Sequence, residues 1–107
     1  VVALDVTDDR SVQAGVDEAA RALGPLDVAI NGAGIGVNGW TEAFTAAELQ
    51  RVFDVNLFGV QRVTRAVLPG MRARGKGLVL NVSSLLGRVV VPFYGPYNAS
   101  KWALEAL

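Results

Sequence analysis

The stretch NVSSLLGRVVVPFYGPYNASK, residues 81–101, decides the fold. It leaves a strand, passes a polar turn at Ser83-Ser84, crosses an apolar loop, and reaches Tyr97 and Lys101 at the opening of a helix. Gly95-Pro96 marks that opening, since proline suits the first turn of a helix. Residues four apart on a helix share a face and are separated by a rise of about 6 Å, so the Lys101 ammonium can lie near the Tyr97 phenol. A free phenol ionises only near pH ~10, and a neighbouring cation favours its anion. In isolation the spacing is common, and a packed Tyr with a surface Lys explains it at least as well. Ser83 and Ser84 read in isolation as turn residues.

Working upstream, residues 78–82 are a short apolar run bounded by Gly75 and Gly77, the pattern of a strand. Before it, a helical pattern runs from the capping box Thr45-Ala46-Ala47-Glu48 to about Arg74, with Leu49, Val52, Phe53, Val60, Val63, Val67 and Met71 on one face. Gly59 and Pro69 are expected to bend it. Asn56 falls on that apolar stripe, where a polar side chain must find partners or cost about 1 to 3 kcal/mol. It could satisfy backbone near the bend, hold a water, or both. Residues 26–30 form a second buried strand, ending in Asn31-Gly32-Ala33-Gly34, which gives the main chain room beside a flat ligand or simply makes a turn. Residues 35–44 form a loop. At the start, residues 1–6 are β-branched and nearly all apolar, expected to be a strand buried on both faces of a parallel sheet. Thr7 and Asp8 then cap a helix with Val12, Val16, Ala19, Ala20 and Leu23 at helical spacing, stopped by Gly24-Pro25.

Alternating strands and helices mean a parallel α/β sheet joined by right-handed crossovers. Ligands in such sheets sit beyond the carboxyl ends of the strands, and those ends carry Asp5, the Asn31 to Gly34 turn, and Ser83-Ser84. Composition narrows the chemistry. The 107 residues are 51% hydrophobic and 19% charged, enough to build a core. Ten basic and ten acidic side chains cancel, which is not the basic footprint of a nucleic-acid binder. The absence of His and Cys excludes a Ser-His-Asp triad, a disulfide and a His- or thiolate-held metal within this stretch. No apolar run approaches the ~18 to 20 residues of a membrane span, and a cytoplasmic location is expected.

Together these pieces resemble the short-chain dehydrogenase/reductase family, in its N-A-G branch. Ser84 lies 13 residues before Tyr97, as in that family, which selects it over Ser83. Ser84-Leu85-Leu86-Gly87 matches S-x-x-G, and Tyr97-Asn98-Ala99-Ser100-Lys101 matches Y-x-[AS]-[SAC]-K. Asn56, 28 residues before Ser84, matches the family's helical Asn. Asp5-Val6-Thr7 matches a D-V-T segment, and Asn31-Gly32-Ala33-Gly34 stands where N-N-A-G is usual. Gly32 replaces an Asn that helps tie neighbouring strands, which bears on local stability more than on catalysis.

The resemblance implies a Rossmann-like doubly wound α/β domain and hydride transfer between NAD or NADP and an alcohol or carbonyl. It implies Tyr97 as general acid/base, Ser84 polarising the substrate oxygen, and Lys101 assisting Tyr97 and binding the nicotinamide ribose. Asn56 would anchor a proton-relaying water. Asp5, Val6, Asn31, Gly32, Ala33, Gly34, Tyr97 and Lys101 would contact the cofactor, Asp5 at the adenine ring. It also implies that the glycine-rich pyrophosphate turn, in the first βαβ unit, precedes residue 1, and that a substrate lid follows Leu107. Residues 1–107 are thus read as the central part of one NAD(P)-binding domain, not expected to hold its native sheet or turn over substrate alone. The full-length protein is expected to be a homo-oligomer. Leu85, Leu86, Val89, Val90, Val91, Phe93 and Tyr94 suggest a steroid-, retinol- or acyl-like substrate, or pack beneath the lid. Two other classes compete: the related epimerase/dehydratase branch, against which the N-A-G turn and Asn56 speak, and a non-catalytic nucleotide-binding scaffold, which would not need both Tyr97 and Lys101.

Overall fold

The computed structural model describes residues 1–107. Helix α1 (Asp9–Leu23) starts where Asp8 accepts a hydrogen bond from the Ser11 N–H, and it ends at Gly24, whose φ of 82° suits glycine. Strand β1 (Val28–Asn31) follows. A 3₁₀ turn at Thr41–Ala43, within the expected loop, leads to α2 (Ala46–Phe53). The capping box of α2 is complete. Thr45 Oγ1 accepts from Glu48 N–H at 3.2 Å, and Glu48 Oε2 accepts from Thr45 N–H at 2.8 Å.

The long helix is not continuous α-helix. A π-helical turn, Asp54–Phe58, separates α2 from α3 (Gly59–Arg74), and Asp54 C=O accepts from Gly59 N–H rather than one residue earlier. Gly75, with φ 68°, closes α3 in the left-handed region. Strand β2 (Leu78–Asn81) then pairs parallel with β1, with Val28 opposite Leu78 and Asn31 opposite Asn81. A second 3₁₀ turn, Leu85–Gly87, is capped by Ser84, and α4 (Gly95–Ala106) carries Pro96 in its first turn. The molecule is therefore an α/β fold on a parallel sheet.

Helix α1 packs on α3, while α2, the π turn and α4 pack together. Val12, Val52, Val60, Val67, Met71 and Leu104 form the apolar core. Two expectations are corrected. Residues 1–6 form no strand: no neighbouring strand lies beside them to accept a ladder of backbone bonds, and a β-branched run without one has no regular partner. Nor is the strand expected at residues 26–30 buried. Ile30 is 66% exposed and Leu78 50%, because a sheet of two strands leaves one edge of each, and part of both faces, uncovered. No helix is long and apolar enough to cross a membrane.

Candidate active site

Helix α4 assigns each of its first turns a task. Tyr97 and Lys101, one turn apart, line a cavity of about 540 Å³ together with Gly32, Gly34, Ser83 and Ser84. The Lys101 Nζ lies 5.9 Å from the centre of the Tyr97 ring. Lys101 is buried (5% exposed), and Nζ donates to the Val82 carbonyl at 2.8 Å. An ammonium has three hydrogens, so two remain for the cavity. Ser84 Oγ accepts from Leu86 N–H at 3.1 Å, which fixes the oxygen at the strand end and leaves its O–H to donate.

Asn56 has no exposed surface. Its Oδ1 accepts from Ile35 N–H at 2.8 Å, and its Nδ2 donates to Ile35 C=O and to Ser100 Oγ, each at 2.9 Å. Of the two readings of this residue, backbone satisfaction is visible, but the backbone is that of the loop after β1, not of its own helix. Both amide hydrogens are used, so any water it holds would take the remaining Oδ1 lone pair or the main chain. Ser100 Oγ in turn donates to the Tyr97 carbonyl at 2.8 Å. Asn56 thus fastens the glycine turn to α4. A Cβ at Gly34 would stand 3.4 Å from Asn56 Oδ1 and 3.8 Å from Lys101 Nζ, ordinary contacts that would narrow the cavity wall without a clash.

The strand ends are tied without the usual second Asn. Asn31 Nδ2 donates to Asn81 Oδ1 at 2.9 Å, and Val82 N–H donates to Asn31 C=O at 2.9 Å. Gly32 and Gly34 line the cavity with Ala33 exposed between them. Asp5 and Val6 stand apart from this group. Asp5 lines a second cavity of about 770 Å³ with Thr7, Gln50, Arg51, Asp54 and Val55. The Thr7 N–H, and then the Thr7 hydroxyl, hold the Asp5 carboxyl below its ordinary range by donating to Oδ1 at 2.8 and 2.7 Å. Oδ2 is left to accept from a ligand. Val6 packs on Gly59, where a Cβ would come within 2.9 Å of it.

Two groups escaped the sequence reading. Ser100 was visible only as a letter in a motif, though its small polar side chain on the inner face of α4 was the available signal. Ser83 proves to be half-buried, with its Oγ shielded beside Gly87 and Glu105, and the Ser83 hydroxyl, then the Arg88 guanidinium, hold the Glu105 carboxyl low. The Ser83 Oγ nevertheless makes no hydrogen bond of good geometry, so this contact is an electrostatic one. No group of three or more acidic, His or Cys side chains gathers to hold a metal.

A parallel α/β sheet with Ser84, Tyr97 and Lys101 converging on a glycine-lined cavity at its strand ends is the architecture of a Rossmann-like ligand-binding domain. The family described as short chain dehydrogenase matches residues 1–107, and the chain belongs to that family. It is 40% identical over 103 residues to a protein named ketoacyl reductase HetN from Nostoc sp., covering 96% of this chain and 36% of that one. Its structure resembles a gluconate 5-dehydrogenase from Burkholderia cenocepacia in complex with NADP and tartrate (TM-score 0.90, 34% identity, 96% of this chain and 40% of that one). It also resembles a short-chain dehydrogenase/reductase from Burkholderia phymatum in complex with NAD (TM-score 0.91, 34% identity, 96% of this chain and 37% of that one). The chain thus spans well under half the length of these relatives.

Proposed function

We propose that residues 1–107 are the central part of an NAD(P)-binding domain in an oxidoreductase that moves a hydride between NAD or NADP and an alcohol or carbonyl compound. The observation that carries the reading is Lys101. A buried ammonium with one carbonyl partner is costly, and it shares its cavity with a Tyr, a Ser and a glycine turn. Hydroxyls of a nicotinamide ribose would satisfy the two remaining N–H donors.

The residues suit the cofactor. Gly32 and Gly34 keep the cavity wall free of side chains, Lys101 offers donors, and Asp5 Oδ2 can accept from an adenine amino group at the other end. NAD or NADP supplies the hydride acceptor or donor. Ser84 O–H donates to the substrate oxygen and stabilises the charge that develops there. Tyr97 transfers the proton to or from that oxygen, with the Lys101 cation beside its ring. Asn56 and Ser100 hold Ile35 and the Tyr97 backbone in place, so that the cavity walls keep their spacing.

Ile35, Val82, Leu86 and Tyr94 also line the cavity, which favours an apolar substrate, and the Nostoc relative is named for a ketoacyl compound. Exposed Leu49, Phe58 and Trp102 support the expected homo-oligomer, which sedimentation of the full-length enzyme tests. The decisive experiment is Tyr97→Phe in the full-length enzyme. Turnover falls by about 10²- to 10⁴-fold while cofactor affinity changes little. Unchanged turnover would overturn the mechanism.

A further inference from the structure

Residues 5–7 have no strand ladder to fix them, yet Asp5 must stand at a defined place if it is to meet a ligand. What holds the segment is largely one side chain. Arg62 Nη1 donates to Val6 C=O at 3.1 Å and to Asp54 C=O at 3.3 Å. Arg62 Nη2 pairs with Asp54 Oδ1 at 2.8 Å, and its Nε lies 3.7 Å from Asp9 Oδ1. The side chain is 21% exposed, so these contacts are partly shielded from water. Asp54 is the first residue of the π turn, the same turn that presents Asn56 to the loop after β1. The chain also passes tightly over that helix at Gly59, against Val6.

We propose that Arg62 is a positioning residue for the cofactor: it brackets the Asp5-Val6-Thr7 segment to the π turn and so sets the adenine end of the site relative to the Asn56–Lys101 end. The proposal rests on the reading of Asp5 as an adenine contact. A guanidinium is suited to the task because its planar fork can serve a main-chain carbonyl and a carboxylate at once. The other ties on the segment, Asp5 N–H to Ser11 Oγ at 2.9 Å and Asp8 N–H to Asp5 C=O at 3.2 Å, run only to its own helix cap. They shape the segment without locating it against the π turn.

The test uses the full-length enzyme, with AMP and NAD or NADP as titrants. Arg62→Met weakens AMP and the dinucleotide in parallel, by on the order of tenfold, the loss expected for charge-assisted hydrogen bonds. Turnover at saturating cofactor stays within about twofold, and Arg62→Lys recovers part of the affinity without recovering both bonds. Asp5→Ala is the companion variant. If it weakens AMP while both Arg62 variants bind AMP as wild type does, the bracket is wrong and the adenine reading stands. If Asp5→Ala leaves AMP binding unchanged, the adenine reading fails and takes the bracket with it. A lower melting temperature in Arg62→Met with unaltered AMP affinity also overturns the proposal, as does a loss confined to turnover. Should Arg62→Met fail to fold, Arg62→Lys carries the same comparison.

Discussion

Replacing Asn56 with Ala tests the reading of the site most directly. The side chain has no exposed surface and makes three hydrogen bonds of 2.8 to 2.9 Å, two to Ile35 and one to Ser100 Oγ. Truncation orphans the Ile35 N–H and C=O and frees one acceptor position on Ser100. A buried polar group that loses its partner costs about 1 to 3 kcal/mol. Ile35 is only half-buried, so water can recover part of this, and a total of about 2 to 5 kcal/mol is expected. Denaturant unfolding of the full-length enzyme measures the loss, and amide exchange at Ile35 locates it. Asn56→Asp serves as a second arm. It keeps an acceptor for Ile35 N–H but turns a carboxylate oxygen toward Ile35 C=O, so it should be no better tolerated than Ala. A loss below about 1 kcal/mol in Asn56→Ala, with Ile35 exchange unchanged, would refute the assignment of Asn56 as the bond between glycine turn and α4.

Other outcomes follow from packing and charge. Gly87→Ala would set a Cβ 2.9 Å from Ser83 Oγ and 3.0 Å from both Glu105 Cγ and the Lys101 carbonyl. Because one of those atoms is backbone, the change should cost about 1 to 3 kcal/mol and shift the turn that carries Ser84, lowering kcat more than KM for cofactor; kinetics beside an unfolding curve check both. The Glu48 carboxyl is held below its usual 4.5 by the Thr45 N–H and then by the Thr45 hydroxyl. Its folded-state pKa lies under the unfolded one, so its contribution is complete above the unfolded value and fades as pH falls through the folded value. The stability gap between wild type and Glu48→Gln should therefore narrow on acidification from about pH 6 to 3, and a gap independent of pH would contradict the capping box.

Much of this arrangement was legible in the residue order, for reasons that can be named. Both ends of α1 and the start of α2 were readable because caps are local: Asp8, Gly24, Thr45 and Glu48 act on backbone within one turn. Tyr97 and Lys101 were readable because helical spacing alone brings them to one face. The π turn was not, since Phe53 and Val60 stand seven apart as on an ordinary helix, and nothing in the residue order marks the wider turn between them. The state of residues 1–6 was missed for a different reason. Apolar, β-branched composition signals a willingness to pair, while a strand needs a partner, and partnership is not a property of the segment. Asn56 could be seen to need partners, but the choice of Ile35 and Ser100, 21 and 44 residues away, is tertiary information. Arg62 gave no signal, because two of its acceptors are main-chain carbonyls that any residue could supply, and its carboxylate partners Asp54 and Asp9 stand at no spacing that marks a pair in sequence.

Helix α4 has little freedom to vary in length. Tyr97 and Lys101 face the cavity, Ser100 meets Asn56, Leu104 enters the core, and Glu105 pairs with Arg88 at 2.6 Å. One broad face of the cylinder is therefore spoken for, with Ala99, Trp102 and Ala106 on the exposed side. Inserting a residue between Tyr97 and Lys101 would turn everything beyond it by about 100° and advance it by about 1.5 Å. The ammonium would leave the phenol, and Leu104 would exchange its place with a side chain meant for solvent. The loop before the helix is tied to it as well, since Asn98 Nδ2 donates to Val91 C=O at 2.9 Å and Arg88 reaches Glu105. Lineages carrying this chain should thus accept almost no insertions or deletions between Gly95 and Glu105.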